Sequence, residues 1–465
     1  MASGDEPHAR RAPSARRTWL YVGLAAVTRL RRLLETAGWG VLDQVLLSVV
    51  NFLTLFLIAR SVEPDVFGAF SLIYGAMLIA NYGQLAFITQ PHNVIAASLR
   101  DLDYRVYTRS LLAAQLVVIL VLAGAAAAAA VVAYGVGSHD TSALLVAVIP
   151  ALPLWQLQEF VRRVLYTERR QAAAFGNDLL SYGAQGLLVG ALAATGHLTA
   201  AAALYAAALT SAAACLLGYR QIRESFSRAR LSRGPVSESF AFGKWLAAAI
   251  GAHWTSTQGY LYLAAAILGV ATTGALRAVQ LVLAPLHVLM FSLSTMLPIR
   301  LSVVLAHGDD QHRASAFARN ARLALRLTLP LVLAYCACVA IFADQIIRAA
   351  YGTRYSTYGR VLAIFALYYL LLYLAQFAST LLTAQRRTDW LFLGNAAAAL
   401  VTVAAAWPLM HGFGAEGAAF LLVLSATVLT VLLWQPRRNP FAPATIARAG
   451  AGFLSRSAVR EGDDV

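Results

Sequence analysis

Apolar runs of about twenty residues follow one another along nearly the whole chain, joined by polar links too short to fold alone, and no other feature limits its architecture so severely. A run of that length, coiled as an α-helix, spans a bilayer's hydrocarbon core while satisfying every backbone N–H and C=O within itself. The runs fall at about 38–61, 66–90, 107–134, 141–160, 172–195, 198–220, 240–269, 272–298, 323–345, 360–384, 388–410 and 413–435, which predicts twelve crossings. Pro150 and Pro153 interrupt the fourth, and proline is tolerated in membrane helices when neighbours satisfy the freed carbonyl. With 59% hydrophobic residues, 13% charged and a mean hydropathy of +0.64, a soluble globular enzyme is excluded. No connection has room for a separate catalytic domain.

The positions of the charges predict an orientation. There are 37 Lys+Arg against 22 Asp+Glu, and Lys244 is the sole lysine. If residues 1–37 face the cytoplasm, 32 of these cations fall on the cytoplasmic side, and the outer side keeps only Arg60, Arg277, Arg348, Arg354 and Arg360. That alternation is what the positive-inside rule demands, and it places both termini in the cytoplasm. It also accounts for the basicity without nucleic acid, because the arginines lie beside anionic lipid headgroups and not in one compact patch with interleaved aromatics. Residues 18–34, with Arg29, Arg31 and Arg32 directly after an apolar stretch, read as an amphipathic interfacial helix and not as a cleaved leader. Cys215, Cys336 and Cys338 sit inside apolar runs and offer neither a disulfide framework nor zinc spacing. No phosphate-cradling loop, nucleophile elbow or metal motif occurs, so neither cofactor nor metal is expected.

Similar punctuation recurs 206 residues apart: Gly38-Trp39 with Lys244-Trp245, Asn51 with Thr257, and Gly68-Ala69-Phe70 with Gly274-Ala275-Leu276. A second set, offset by 217 or 218, pairs Glu159 with Gln376, Gly176-Asn177 with Gly394-Asn395, and Gly196 with Gly414. These pairings predict two six-helix bundles, at 38–220 and 240–435, joined by a cytoplasmic linker at 221–239. A basic amino-terminal segment (1–37) and an unstructured cytoplasmic tail (436–465) flank them. Six is even, so both halves enter from the same side and are related by a pseudo-two-fold axis along the membrane normal. A cleft between two such bundles can open to either face.

The stretch from Asn51 to Tyr74, NFLTLFLIARSVEPDVFGAFSLIY, resembles the first-helix signature of the MOP flippase superfamily, polysaccharide branch: a polar residue in the helix, then Ala-Arg, a short acidic or proline link, and Phe-Gly. Phe242-Gly243-Lys244-Trp245, with Gly274 to Gln280 and Pro285-Leu286, is similar to the start of the second half in O-antigen and exopolysaccharide flippases. The resemblance covers about 38–435. It implies translocation of undecaprenyl-diphosphate-linked oligosaccharide repeat units across the bacterial cytoplasmic membrane, with glycosyltransferases and a glycan polymerase as functional partners. Two features depart from relatives. Thr255 to Tyr260 lacks the charged residue often found midway along the seventh helix, which leaves cargo and coupling open. Twelve helices also separate the chain from the flippases of the peptidoglycan precursor, which have two more.

A carrier of an anionic lipid head needs a wet cavity with hydrogen-bonding walls and a cation for the phosphates, and arginine meets phosphate bidentately. Arg277 is the leading candidate, on one helical stripe with Gln280, His287 and Phe291. Either it faces a cavity or it snorkels to the outer headgroups about 8 Å away. Further candidates are Gln44 and Asn51 on the first helix, Asn177 and Gln185 on the fifth, Gln258 on the seventh, Tyr373 and Gln376 on the tenth, and Arg60 at an outer helix end. Asp43 and Asp178 are intramembrane carboxylates that could couple transport to a proton or cation. Catalytic residues are not expected, since the work would be conformational. The alternatives are a MATE-like drug or metabolite antiporter, and a membrane-embedded glycan polymerase or ligase whose site would lie in the outer segment 344–359.

Overall fold

The computed structural model describes residues 38–435 apart from Val41, Arg228, 307–309 and Arg386. The interfacial helix expected at 18–34 and the tail at 436–465 lie outside the described residues. Twelve helical passes are present, and no strand occurs among the described residues. They are α1 (Gly38–Ser61), α2 (Pro64–Ser98), α3 (Asp101–Gly135), α4 (His139–Thr167), α5 (171–194), α6 (Ala200–Ile222), α7 (233–268), α8 (270–306), α9 (Asp310–Ile341), α10 (Gly359–Ala384), α11 (388–413) and α12 (415–433).

Nine continuous helices among the described residues are individually long and apolar enough to cross a membrane. The count differs from twelve because α5 and α7 are not among the nine and α11 and α12 run on as one helix. A π-helical turn, Leu179–Gly183, divides α5, and α7 breaks at Gln258 (φ −121°, ψ −23°). The continuous helix Thr388–Leu433 is a hairpin: Gly414, at φ 56°, reverses it, and Ser425 Oγ reaches back to Thr402 Oγ1 (3.0 Å) and the Ala398 carbonyl (3.2 Å). Gly196 (φ 74°) makes the corresponding turn between α5 and α6, so both members of that repeat pair occupy backbone that favours glycine.

Proline shapes the passes that meet the other half. Pro91 lies inside α2, where its ring opposes the carbonyl four residues earlier, that of Phe87. The π-helical turn Leu85–Thr89 absorbs the conflict, and the Ser239 hydroxyl of α7 donates to the Phe87 carbonyl. Pro285 similarly follows a break in α8 at Val282 and Leu283, and Tyr335 of α9 donates to the Val282 carbonyl (2.7 Å).

α1–α6 form one bundle and α7–α12 the other. At their seam α2 crosses α8 through paired glycines: Gly68 lies directly on the Val270 carbonyl, and Gly274 on the Pro64 carbonyl. Both relations carry the 206-residue offset read from the repeat, so each half presents the same patch to the other, as a two-fold axis between them requires. A β-carbon at either glycine would collide with backbone. The linker is shorter than the expected 221–239. Ser232, whose Oγ accepts from Gly234 N–H (3.4 Å), starts α7 at Arg233, and Pro235 suits that first turn because its missing N–H is not needed there.

The passes alternate, so the loops rich in arginine gather at one end of the bundles. We call it the basic end; the far end carries Arg60, Arg348, Arg354 and Arg360.

Candidate functional site

A cavity of about 940 Å³ lies between the bundles, walled by α1, α2, α7, α8 and α10. The breaks in α7 and α8 both face it, through Gln258 and through Leu281, Ala284 and Pro285. Irregular backbone is tolerated at membrane depth where it borders such a space, because water or a ligand can satisfy the freed polar groups.

Arg277, Gln280, His287, Gln44, Gln258 and Gln376 all line this cavity. Arg277 is half-buried, about two helical turns from the far end of α8, and its Nη1 donates to Gln280 Oε1 (3.1 Å). Tyr260 donates to the same oxygen (3.1 Å), which fixes the amide and therefore the guanidinium. His287 Nε2 meets the Tyr369 hydroxyl at 2.8 Å. Among the described residues Arg277 has no carboxylate partner, and this is its single protein hydrogen bond. Four of its five N–H donors therefore remain available to whatever fills the cavity. Tyr82, Tyr368 and Tyr369 add aromatic faces and hydroxyls.

Above Arg277 the far end is closed. Besides the glycine crossing, Arg354 reaches from the segment before α10 to the end of α1, donating to the carbonyls of Arg60 (3.0 Å) and Val62 (2.6 Å) and pairing with Glu63 (3.2 Å). It thus satisfies carbonyls that the helix end leaves without partners. Tyr355 is buried and donates to the Ala59 carbonyl (3.4 Å), and Tyr351 to that of Ala278 (2.8 Å). From Leu55 the cavity follows α1 for about 16 Å toward Gln44 and the basic end.

The remaining candidates lie elsewhere. Asn51 and Gln185 border a small space of about 50 Å³ inside the first bundle. Asn177 is buried near Gly218 of α6, with neither amide atom partnered. Tyr373 is buried against α9, its hydroxyl 2.6 Å from Thr328 Oγ1. Arg60 is exposed at the end of α1 and contributes its backbone carbonyl to the Arg354 contact. A helical stripe shows that polar residues share a face; it does not say whether that face meets the cleft or a neighbour in the same bundle.

Asp43 and Asp178 belong to a second polar centre, at the basic end of the first bundle. Arg162 pairs there with Glu159 (2.8 Å), Asp178 (3.4 Å) and Asp43 (3.6 Å), while Arg163 also holds Glu159 (2.8 Å). Tyr166 donates to Asp43 (2.8 Å) and Gln158 to Asp178 (3.0 Å), and the Gln158 side-chain Oε1 accepts from Ser181 and Ser211 (2.8 Å each). Arg162 is one of the 32 cations that the charge count places on the cytoplasmic side, beside headgroups. The structure corrects this: α4 continues to Thr167, and one face of its last two turns points inward. The spacing of Glu159 with Arg162 and Arg163, at i+3 and i+4, is the sequence signal for that face.

No protein-family model matches the chain, and no curated protein matches its sequence. Solved structures match its fold. A multidrug resistance MATE family transporter of the MOP superfamily, in an inward-facing conformation, is 14% identical with a TM-score of 0.66, covering 86% of this chain and 95% of that one. The lipid II flippase MurJ, in an inward closed conformation, is 12% identical with a TM-score of 0.63, covering 91% and 93%. A MOP superfamily transporter from Pyrococcus furiosus, described as having a binding pocket of reverse polarity, is 13% identical with a TM-score of 0.60, covering 87% and 94%. The chain is a multi-pass membrane protein with the fold of the MOP superfamily transporters.

Proposed function

We propose that the chain is a flippase of the polysaccharide branch, moving undecaprenyl-diphosphate-linked oligosaccharide units from the inner to the outer leaflet of the bacterial cytoplasmic membrane for surface glycan synthesis. The carrying observation is Arg277: a guanidinium inside the inter-bundle cavity with four free donors and no carboxylate partner among the described residues. Placing such a charge at membrane depth is costly unless an anion or water compensates it, and a diphosphate offers the complementary bidentate geometry. Gln44, Gln258, Gln280 and Gln376, with the tyrosines, supply hydrogen bonds and ring faces for sugars.

In this reading the basic end is cytoplasmic, and the structure is the state that accepts cargo from that side. The Arg354 contact and the glycine crossing must part for release. Glu159, Asp43 and Asp178 set three carboxyl groups against the two guanidinium groups of Arg162 and Arg163, and the carboxyl in excess is the place where a proton or monovalent cation would couple the cycle. The likeness to MATE transporters supports a second reading, a drug antiporter, but a cavity carrying an unopposed arginine repels organic cations. A polymerase or ligase is disfavoured because Arg354 and Tyr355 are committed to contacts between the halves and Tyr351 to the Ala278 carbonyl within the second.

The test is leaflet access. In a strain lacking this protein, undecaprenyl-linked repeat units should accumulate on the cytoplasmic face and reappear outside on complementation; normal outer-face glycan in the deletion strain would refute the proposal.

A further inference from the structure

A second large cavity, of about 820 Å³, opens on the other side of the first bundle, between α3, the end of α6 and the linker that follows. None of its lining residues borders the inter-bundle cavity. Arg105, Arg109 and Arg223 face it with a single carboxylate, Glu224. Arg105 and Arg223 are exposed, and neither they nor Glu224 form an ion pair among the described residues, which leaves an excess of two positive charges. Arg109 instead donates to the Ala229 carbonyl, and Ser110 Oγ accepts from Ser232 N–H (3.0 Å), so the linker is strapped to α3 at the edge of the cavity.

The position along α3 identifies the chemistry. At about 1.5 Å per residue this 35-residue helix is about 52 Å long, well beyond the hydrocarbon thickness, so its first turns stand in the headgroup zone at the basic end. Arg105 and Arg109 lie in those turns, whereas Leu112 and Leu116, on the same wall, lie up to about 16 Å deeper. The apolar wall continues outward through the exposed Val117, Leu120 and Leu216. Guanidinium groups at headgroup depth above leucines at acyl depth match an anionic amphiphile; a soluble anion would have no use for the lower wall.

We propose that this pocket binds one anionic phospholipid of the adjoining leaflet, its phosphate held between Arg105 and Arg223 and an acyl chain laid along Leu112 and Leu116. The bound lipid would brace the linker against the first bundle at the point where the two halves are joined. This assignment does not depend on what the central cavity carries.

The test uses the full-length protein and phosphatidylglycerol, with phosphatidylcholine as the zwitterionic control. Native mass spectrometry should show preferential retention of phosphatidylglycerol. The Arg105→Gln/Arg223→Gln double variant should weaken it about 25-fold, from about a factor of five for each arginine at an anionic surface, without changing phosphatidylcholine binding. Independently of any variant, phosphatidylglycerol carrying a photoreactive acyl chain should label wild-type protein between residues 112 and 116. Undiminished phosphatidylglycerol binding by a folded double variant would overturn the assignment. So would labelling confined to other segments, or displacement of the lipid by millimolar inorganic phosphate, which would mark a soluble-anion site.

Discussion

Arg162 and Arg277 both lie within helical passes, and their surroundings differ sharply. Arg162 is enclosed by the first bundle and touches three carboxylates within 3.6 Å. Arg277 stands in the wall of an open cavity, held by one glutamine and opposed by no acid among the described residues. The first charge is opposed within the protein, even though its Nε is left without a hydrogen-bond partner, so it serves the bundle's integrity and its charge balance. The second is oriented but unsatisfied, so its partner must come from outside the chain. Charge inside a membrane protein is therefore not by itself a sign of a binding site; what decides is whether the protein has already supplied the counter-charge.

The sharpest way to break this contrast is to remove each arginine and ask what is lost. Arg162→Met should leave three buried carboxylates with only Arg163 nearby, at a cost of about 3–5 kcal/mol, read as loss of folded protein in the membrane or a lowered melting transition. Combining it with Asp43→Asn and Asp178→Asn should restore at least half of that loss. If the triple variant is no better than the single one, Arg162 is not there to balance charge. Arg277→Ala should leave abundance unchanged and lower export of lipid-linked glycan by about 100-fold, corresponding to about 2.7 kcal/mol for a desolvated charge contact. Arg277→Lys should retain part of the activity, since it keeps the charge and loses the bidentate fork. A smaller effect belongs to Gln280→Leu, which removes the acceptor shared by Arg277 and Tyr260: about a tenfold fall in export, with little change in abundance. Smallest of all, Tyr369→Phe deprives His287 of one hydrogen bond at the cavity wall and should lower export about five-fold, from about 1 kcal/mol.

The same contrast explains what could be read in advance. Hydropathy located all twelve passes, because burying backbone in lipid allows so few solutions, and α7 and α8 were legible even though each is broken. The reciprocal glycines Gly68 and Gly274 announced the two-fold axis, since only glycine permits backbones to approach so closely. Arg277, Gln280 and His287 share one helical stripe, and that stripe faces the cavity. Arg162 was missed for a definite reason: cations near a helix end are assigned to the headgroup zone by default, and hydropathy ended α4 seven residues before the helix does. Asn51, Asn177 and Gln185 form equally regular stripes, yet they face the interior of their own bundle. A period of 3.6 cannot separate a cleft from a helix–helix contact.

The most direct test of the central claim is the affinity of purified protein, in nanodiscs, for undecaprenyl diphosphate compared with the uncharged alcohol of the same chain. The account predicts that the wild type prefers the diphosphate by at least about tenfold and that Arg277→Ala abolishes the preference while still binding the alcohol. An alanine variant that keeps the full preference for the diphosphate would contradict it.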